Sequence, residues 1–357
     1  MKKKILLLCI VMVLVTFASG CGSKSTAGSG TSGSDTSDRD TSATKSEPLT
    51  INVTALKGPT AMGMVKLMDD SAMKMADSSM KYVDDDKYQF DIVGAVDEVT
   101  PKIVKGEADI AAVPANLASV LYNNTDGKVK VMAINTLGVL YIVENGDTIK
   151  NISDLKGKTI YASGKGATPE YALNYILAEN GLNPASDVTI EWKSEHTECL
   201  SAIAADEGGI ALLPQPFVAT AQSKNPNIKV ALDLNKEWDA VQKTSSASTA
   251  SALITGVIVG NSDFIEKNPA AVQTFMAAYK ESVAYAEDDI AGAAKLIGIF
   301  DICPEEIALK ALPECNITFI SGKDMKNQLA GYLQVLYDQN PAAVGGTLPD
   351  DAFYYLN

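Results

Sequence analysis

A single arginine, a single histidine and two tryptophans stand in a chain of 357 residues. The arginine is Arg39, set among Ser, Thr and Asp, so the apolar remainder of the chain holds no guanidinium at all. A planar, bidentate fork for a carboxylate is therefore excluded from any folded site. The lone His196 and the lack of CxxC or HExxH spacing argue against a transition-metal centre, and no cofactor is expected. There is no GxSxG elbow, so an acyl-transfer enzyme has no visible nucleophile. Cysteine is sparse, and beyond the N-terminal region only Cys199, Cys303 and Cys315 remain. Cys303 and Cys315 are close enough in sequence to pair. An odd count without a dense framework reads instead as free, buried thiols. Basic residues are outnumbered, 30 Lys and Arg against 44 Asp and Glu, for a formal charge of -14. Nucleic acid needs a basic footprint, so it is excluded as a partner.

What is present begins with a targeting segment. Lys2-Lys3-Lys4 is a basic start, Ile5 to Phe17 is an apolar run too short to span a bilayer, and Ala18-Ser19-Gly20 leads to Cys21. This resembles a bacterial lipobox, which implies that residues 1–20 are a lipoprotein signal peptide and that Cys21 is lipidated. Residues 21–48 then read as the lipidated Cys and a disordered Ser/Thr/Gly tether, with a reach of roughly 30 Å. Removing residues 1–20 takes away three Lys, so the charge becomes -14 - 3 = -17. Gly22 gives no inner-membrane retention signal, which suits a Gram-positive-type cell. The expected location is the extracellular face of the cell membrane, with contact to lipid through the anchor only.

The rest alternates strand-like and helical runs, which predicts an α/β fold. Two features recur. Lys57-Gly58-Pro59-Thr60 is matched by Lys165-Gly166-Ala167-Thr168, and Ile110-Ala111-Ala112-Val113-Pro114 by Ile210-Ala211-Leu212-Leu213-Pro214. Their spacing predicts two similar lobes: residues 49–138 as the first part of lobe one, 139–255 as lobe two, and 256–357 as the return to lobe one. The return segment carries a mostly helical C-terminal region expected to pack on lobe one. Two crossovers of this kind form a hinge. Within this plan the pattern predicts one helix from Ala61 to Met80 and another starting at Thr100-Pro101. Met68, Met73, Met75 and Met80 form no regular metal-binding repeat and read as core.

Ligands of open α/β sheets sit at the carboxyl ends of strands, where the duplicated loops fall. The candidate ligand-binding residues are Gly58, Pro59, Thr60 and Met62 on one wall, and Gly164, Lys165, Gly166, Ala167 and Thr168 on the other. Glycines let the backbone approach a ligand, and the threonines either cap a helix or donate a hydroxyl. Asn116, Gln215 and the strand-end pair Asn135-Thr136 offer polar groups at the cleft edge. His196 either lines the pocket or belongs to a helix-cap cluster. Without arginine, an anion would rest on backbone N–H groups, hydroxyls, Lys57 or Lys165, and a neutral ligand fits equally well. On this reading, replacing both Thr60 and Thr168 by Val is expected to abolish binding.

Three phrases carry a family resemblance: Lys105-Gly106-Glu107-Ala108-Asp109-Ile110-Ala111, Ile152 to Ile160 (ISDLKGKTI), and Asp263 to Val272 (DFIEKNPAAV). With the lipobox and tether, their order resembles a class II substrate-binding lipoprotein of an ABC importer. The likeness is to the group of sulfonate, nitrate and thiamine-precursor binders, and it covers residues 49–357. It implies a two-lobed, Venus-flytrap fold of the type II periplasmic-binding-protein kind. It further implies a monomer that captures a small polar molecule and delivers it to a permease with its ATPase. A sensory receptor on the same fold is the alternative, and an enzyme related to the fungal thiamine-pyrimidine synthase is a weaker one.

Overall fold

The structure is a computed structural model that describes residues 49–76, 87–244 and 251–356. The expected signal peptide, the lipidation site Cys21, the tether and Met80 lie outside the described residues. Strand β1 (Thr50–Leu56) is followed by two short helices, α1 (Pro59–Met62) and α2 (Val65–Ala76), rather than one continuous helix from Ala61. The break falls at Gly63. The Ser282 hydroxyl spans it, donating to the Gly63 carbonyl at 2.8 Å and accepting from the Leu67 N–H at 3.1 Å. A β-carbon at Gly63 would stand 3.0 Å from Ile317 Cγ2 and 3.2 Å from the Tyr279 hydroxyl, so the kink packs because that atom is missing.

Strand β2 (Lys87–Val93), helix α3 (Val96–Lys105), strand β3 (Ile110–Pro114), helix α4 (Ala115–Asn124) and strand β4 (Val129–Leu137) complete the first passage. Helix α3 starts at Val96, earlier than the Thr100-Pro101 pair suggests. Glu98 folds back to accept from the Ala95 N–H at 3.0 Å, which fixes the first turn ahead of the proline. Pro101 then sits inside the helix, where it forgoes one backbone bond.

The chain crosses over in β5 (Leu140–Asn145) and builds β6 (Thr159–Ser163), α5 (Thr168–Glu179), β7 (Thr189–Lys193) and α6 (His196–Ala205). It continues through β8 (Ile210–Pro214), α7 (Phe217–Lys224), β9 (Ile228–Asp233) and α8 (Leu234–Thr244). It returns in β10 (Ile254–Asn261), then forms α9 (Ser262–Lys267), α10 (Pro269–Asp288), α11 (Ile290–Ile299) and α12 (Glu305–Ala311). Strand β11 (Ile317–Ser321) and helix α13 (Gly322–Gln339) follow.

The two sheets have matching plans. One has the order β11-β4-β10-β3-β1-β2 and the other β7-β6-β8-β5-β9. β1 runs parallel to β2 and β3, and β6 runs parallel to β7 and β8. In each sheet the crossing strand enters antiparallel: β10 between β3 and β4, β5 between β8 and β9. The duplicated apolar runs become β3 and β8, each buried along its length up to the final proline. Both sit inside their sheets, which explains why they read as continuous rather than alternating runs.

The C-terminal region divides its contacts. Helices α10 to α12 share an apolar cluster with β1 and α2, as the pattern predicts. Helix α13 also reaches the second lobe. The Tyr332 hydroxyl lies 2.9 Å from Thr168 Oγ1, and just past the helix end Asn340 Nδ2 donates to the Tyr171 hydroxyl at 3.0 Å. Trp238 and Tyr332 are fully buried with ring centroids 5.8 Å apart, so one apolar cluster spans both lobes. Trp238 is therefore core. Cys199, Cys303 and Cys315 are free thiols, with Cys199 and Cys315 buried.

Candidate functional site

A cavity of about 410 Å³ opens where the carboxyl ends of β1, β3, β6 and β8 meet, and both lobes wall it. Its size falls in the range of small-molecule sites. The duplicated loops form opposite sides: Leu56 to Thr60 after β1, and Ala167 to Pro169 after β6. The duplicated strand ends form the other pair, with Pro114, Asn116 and Leu117 facing Pro214 to Phe217. Even the crossovers contribute equivalently. Gly256 pairs with Pro114 and Leu140 with Pro214, so Thr255 and Val139, both lining the cavity, occupy matching positions.

Eight of the sequence-derived candidates line this cavity: Gly58, Pro59, Thr60, Asn116, Ala167, Thr168, His196 and Gln215. Gly58 has φ of 129° and ψ of -158°, a conformation open only to glycine, and it swings the chain from β1 into α1. The other candidates stand elsewhere. Met62 is fully buried behind the wall, with its sulfur 3.8 Å from Cys315 Sγ. Asn135 and Thr136 are likewise buried; Asn135 Nδ2 donates to the Thr60 carbonyl at 2.9 Å, and Thr136 Oγ1 donates to Asn135 Oδ1 at 3.1 Å. They brace the Thr60 loop from the rear. Gly164, Lys165 and Gly166 shape the second loop without lining the cavity, and Gly166 at φ 76° gives its N–H to Glu170 Oε2 at 2.6 Å.

Several polar groups in the wall are already committed. Thr60 Oγ1 donates to the Leu56 carbonyl at 2.8 Å, and Thr168 Oγ1 is joined to Tyr332. Gln215 Oε1 accepts from the Ala219 N–H at 3.3 Å. Two others retain capacity among the described residues, Gln215 Nε2 and His196 Nε2, whereas the Thr255 hydroxyl has no partner but is sealed from the cavity. His196 opens α6, with Nδ1 2.5 Å from the Ser163 hydroxyl and its ring 5.0 Å from that of Phe217. Burial pushes its pKa below the ordinary histidine value, so the ring is held neutral.

The rest of the wall is apolar. Leu56, Val96, Leu117, Val139, Leu140 and Phe217 line it together with five prolines, Pro59, Pro114, Pro169, Pro214 and Pro216. Each proline removes a backbone donor, so loops that look like donor-rich helix starts offer fewer N–H groups than expected. Phe217 escapes the loop-based reading, yet the duplication marks it. It follows Pro214-Gln215-Pro216 as Leu117 follows Pro114-Ala115-Asn116. Thr255 carries no comparable signal, because only the β10 register brings it to the cavity.

A family model described as "ABC transporter, phosphonate, periplasmic substrate-binding protein" matches residues 79–299, more than half of the chain. A search of the curated proteins finds no match. Among solved structures, an ABC transporter protein from Parabacteroides distasonis is 25% identical with a TM-score of 0.69, over 86% of this chain and 98% of that one. The periplasmic aliphatic sulphonate-binding protein SsuA from Escherichia coli is 15% identical with a TM-score of 0.65, over 86% and 92%. The alkanesulfonate-binding SsuA from Xanthomonas axonopodis bound to MOPS is 16% identical with a TM-score of 0.58, over 85% and 96%. The last two establish the shared fold, and the type II binding-protein architecture read from the sequence is the one observed.

Proposed function

The chain belongs to the phosphonate-type family of periplasmic substrate-binding proteins of ABC transporters, and from that premise we propose that it is the lipid-anchored receptor of an importer. In this reading Cys21 carries the lipid, residues 22–48 act as a leash, and the folded part works at the outer face of the membrane. A small solute enters between the lobes, the lobes close on it, and the closed form presents it to a permease with its ATPase. The protein acts as a monomer and catalyses no reaction.

One observation carries the reading. The cavity is walled on opposite sides by two copies of the same loop, each at the end of an equivalent strand. A solute touching both copies favours the closed state by its differential contacts, which is what a closure signal requires. No helix among the described residues is long and apolar enough to cross a membrane.

Deleting the gene is expected to abolish uptake of one small solute, restored by the wild-type chain and not by a Cys21→Ala form shed into the medium. Undiminished uptake of all small solutes in the deletion strain would reject the transport role. A sensory role would then have to show as a lost transcriptional response to the same class of compound.

A further inference from the structure

We propose that the cleft selects an uncharged, largely apolar solute, gripped by neutral hydrogen bonds from His196 and Gln215. The inference rests on the receptor reading and narrows what that receptor carries. A charge inside a small apolar cavity must be paired there, or it forfeits its hydration without return. The cavity supplies no anion and a single cation. Among its lining residues there is no Asp or Glu, and the only formally charged one is Lys57. Lys57 Nζ lies 3.0 Å from Asp301 Oδ2 in a solvent-exposed pair, so its charge is partly offset.

Several helix ends are partly offset as well. A helix N-terminus attracts an anion through its free N–H groups and partial positive charge. Three helices that reach the cavity, α3, α5 and α6, each carry a glutamate in the first turn that folds back over the preceding loop. Glu98 accepts from the Ala95 N–H at 3.0 Å, Glu170 from the Gly166 N–H at 2.6 Å, and Glu198 from the Ser194 N–H at 2.9 Å. None of these carboxylates lines the cavity, but each sets a negative charge beside a helix N-terminus and lessens its pull on a phosphonate or sulfonate head. The prolines at 59 and 169 remove two further donors from the starts of α1 and α5. Helices α4 and α7 also start at the cavity and carry no acidic residue in the first turn, though Gln215 Oε1 takes the Ala219 N–H of α7 at 3.3 Å.

What remains is a neutral grip. The amide of Gln215 donates through Nε2, and the His196 ring, tethered through Nδ1 to Ser163, offers Nε2. Around them Phe217, Pro216 and Pro169 provide apolar surface for a ring or hydrocarbon body.

The test uses the full chain purified from the cells that make it. Solute is released by denaturation and identified by mass spectrometry, and melting temperature is followed with millimolar methylphosphonate and ethanesulfonate as probes. The expected result is a released solute with no formal charge at neutral pH and no stabilisation by either anion. A released solute bearing a charge, or stabilisation by either anion, overturns the inference and leaves the receptor reading standing. Release of no solute, with no solute uptake lost in the deletion strain, overturns both. The grip has its own check: Gln215→Leu and His196→Phe should each cut the retained solute about tenfold while keeping a cooperative melting transition. Retention at the wild-type level in both folded variants would refute the residue assignment.

Discussion

The Ser163 hydroxyl at the end of β6 sits 2.5 Å from Nδ1 of His196 at the start of α6, joining two elements of the second lobe at the cavity wall. The contact fixes which edge of the imidazole faces the cavity. Ser163→Ala should therefore weaken solute binding by roughly tenfold, the equivalent of one hydrogen bond with its orienting effect. Calorimetric titration with the solute recovered from the protein would measure it. An unchanged affinity would mean that packing against Phe217 alone holds the ring.

The same histidine sets a pH dependence. Burial lowers its pKa in the folded chain, whereas the unfolded chain protonates near the ordinary value of about 6.5. Between the two values the unfolded state binds more protons, so stability rises with pH. Its contribution is complete above about 6.5 and is lost as pH falls from there toward the folded value. His196→Gln should flatten the decline in melting temperature on mild acidification. Parallel profiles for the two proteins would contradict this.

Gly256 tests the packing behind the cavity. A β-carbon there would lie 2.5 Å from Asn135 Oδ1 and 2.5 Å from Thr60 Cγ2, on the return strand and beneath the first loop. Gly256→Ala should destabilise the fold by about 2 kcal/mol, the ordinary cost of overpacking. Urea unfolding would register it as a lower midpoint at unchanged slope.

The link between Thr168 and Tyr332 couples the second lobe to α13. Thr168→Val and Tyr332→Phe should each cost about 1 kcal/mol. The double variant should cost little more than either alone, because both remove the same bond. Full additivity would show that the two hydroxyls act independently.

Much of this architecture is legible in the residues. The repeated Ile-Ala-x-x-Pro runs announce two equivalent buried strands, and the paired glycine loops announce where those lobes meet. Local pattern fails where a distant residue decides. Nothing between Ala61 and Ala76 reveals that Ser282 will replace a helical bond at Gly63. The reach of Tyr332 to Thr168 is equally invisible, since it depends on how α13 lies across two lobes. In the site, residue type left Thr60 and Thr168 open between helix cap and ligand hydroxyl, and the structure gives each a protein partner. We therefore expect the Thr60→Val, Thr168→Val pair to weaken the fold rather than abolish binding.

The interleaving of crossing strands has a consequence for how the protein is made. β4 neighbours only β10 and β11 within its sheet, and both are synthesised after the entire second lobe. Residues Val129–Leu137, mostly buried in the finished fold, must therefore wait unpaired while β5 to β9 are made and pair among themselves. An open apolar edge is a site for aggregation and proteolysis. Nascent chains stalled before β10 should thus display a finished second lobe beside an exposed ribbon, making this interval the vulnerable one during synthesis.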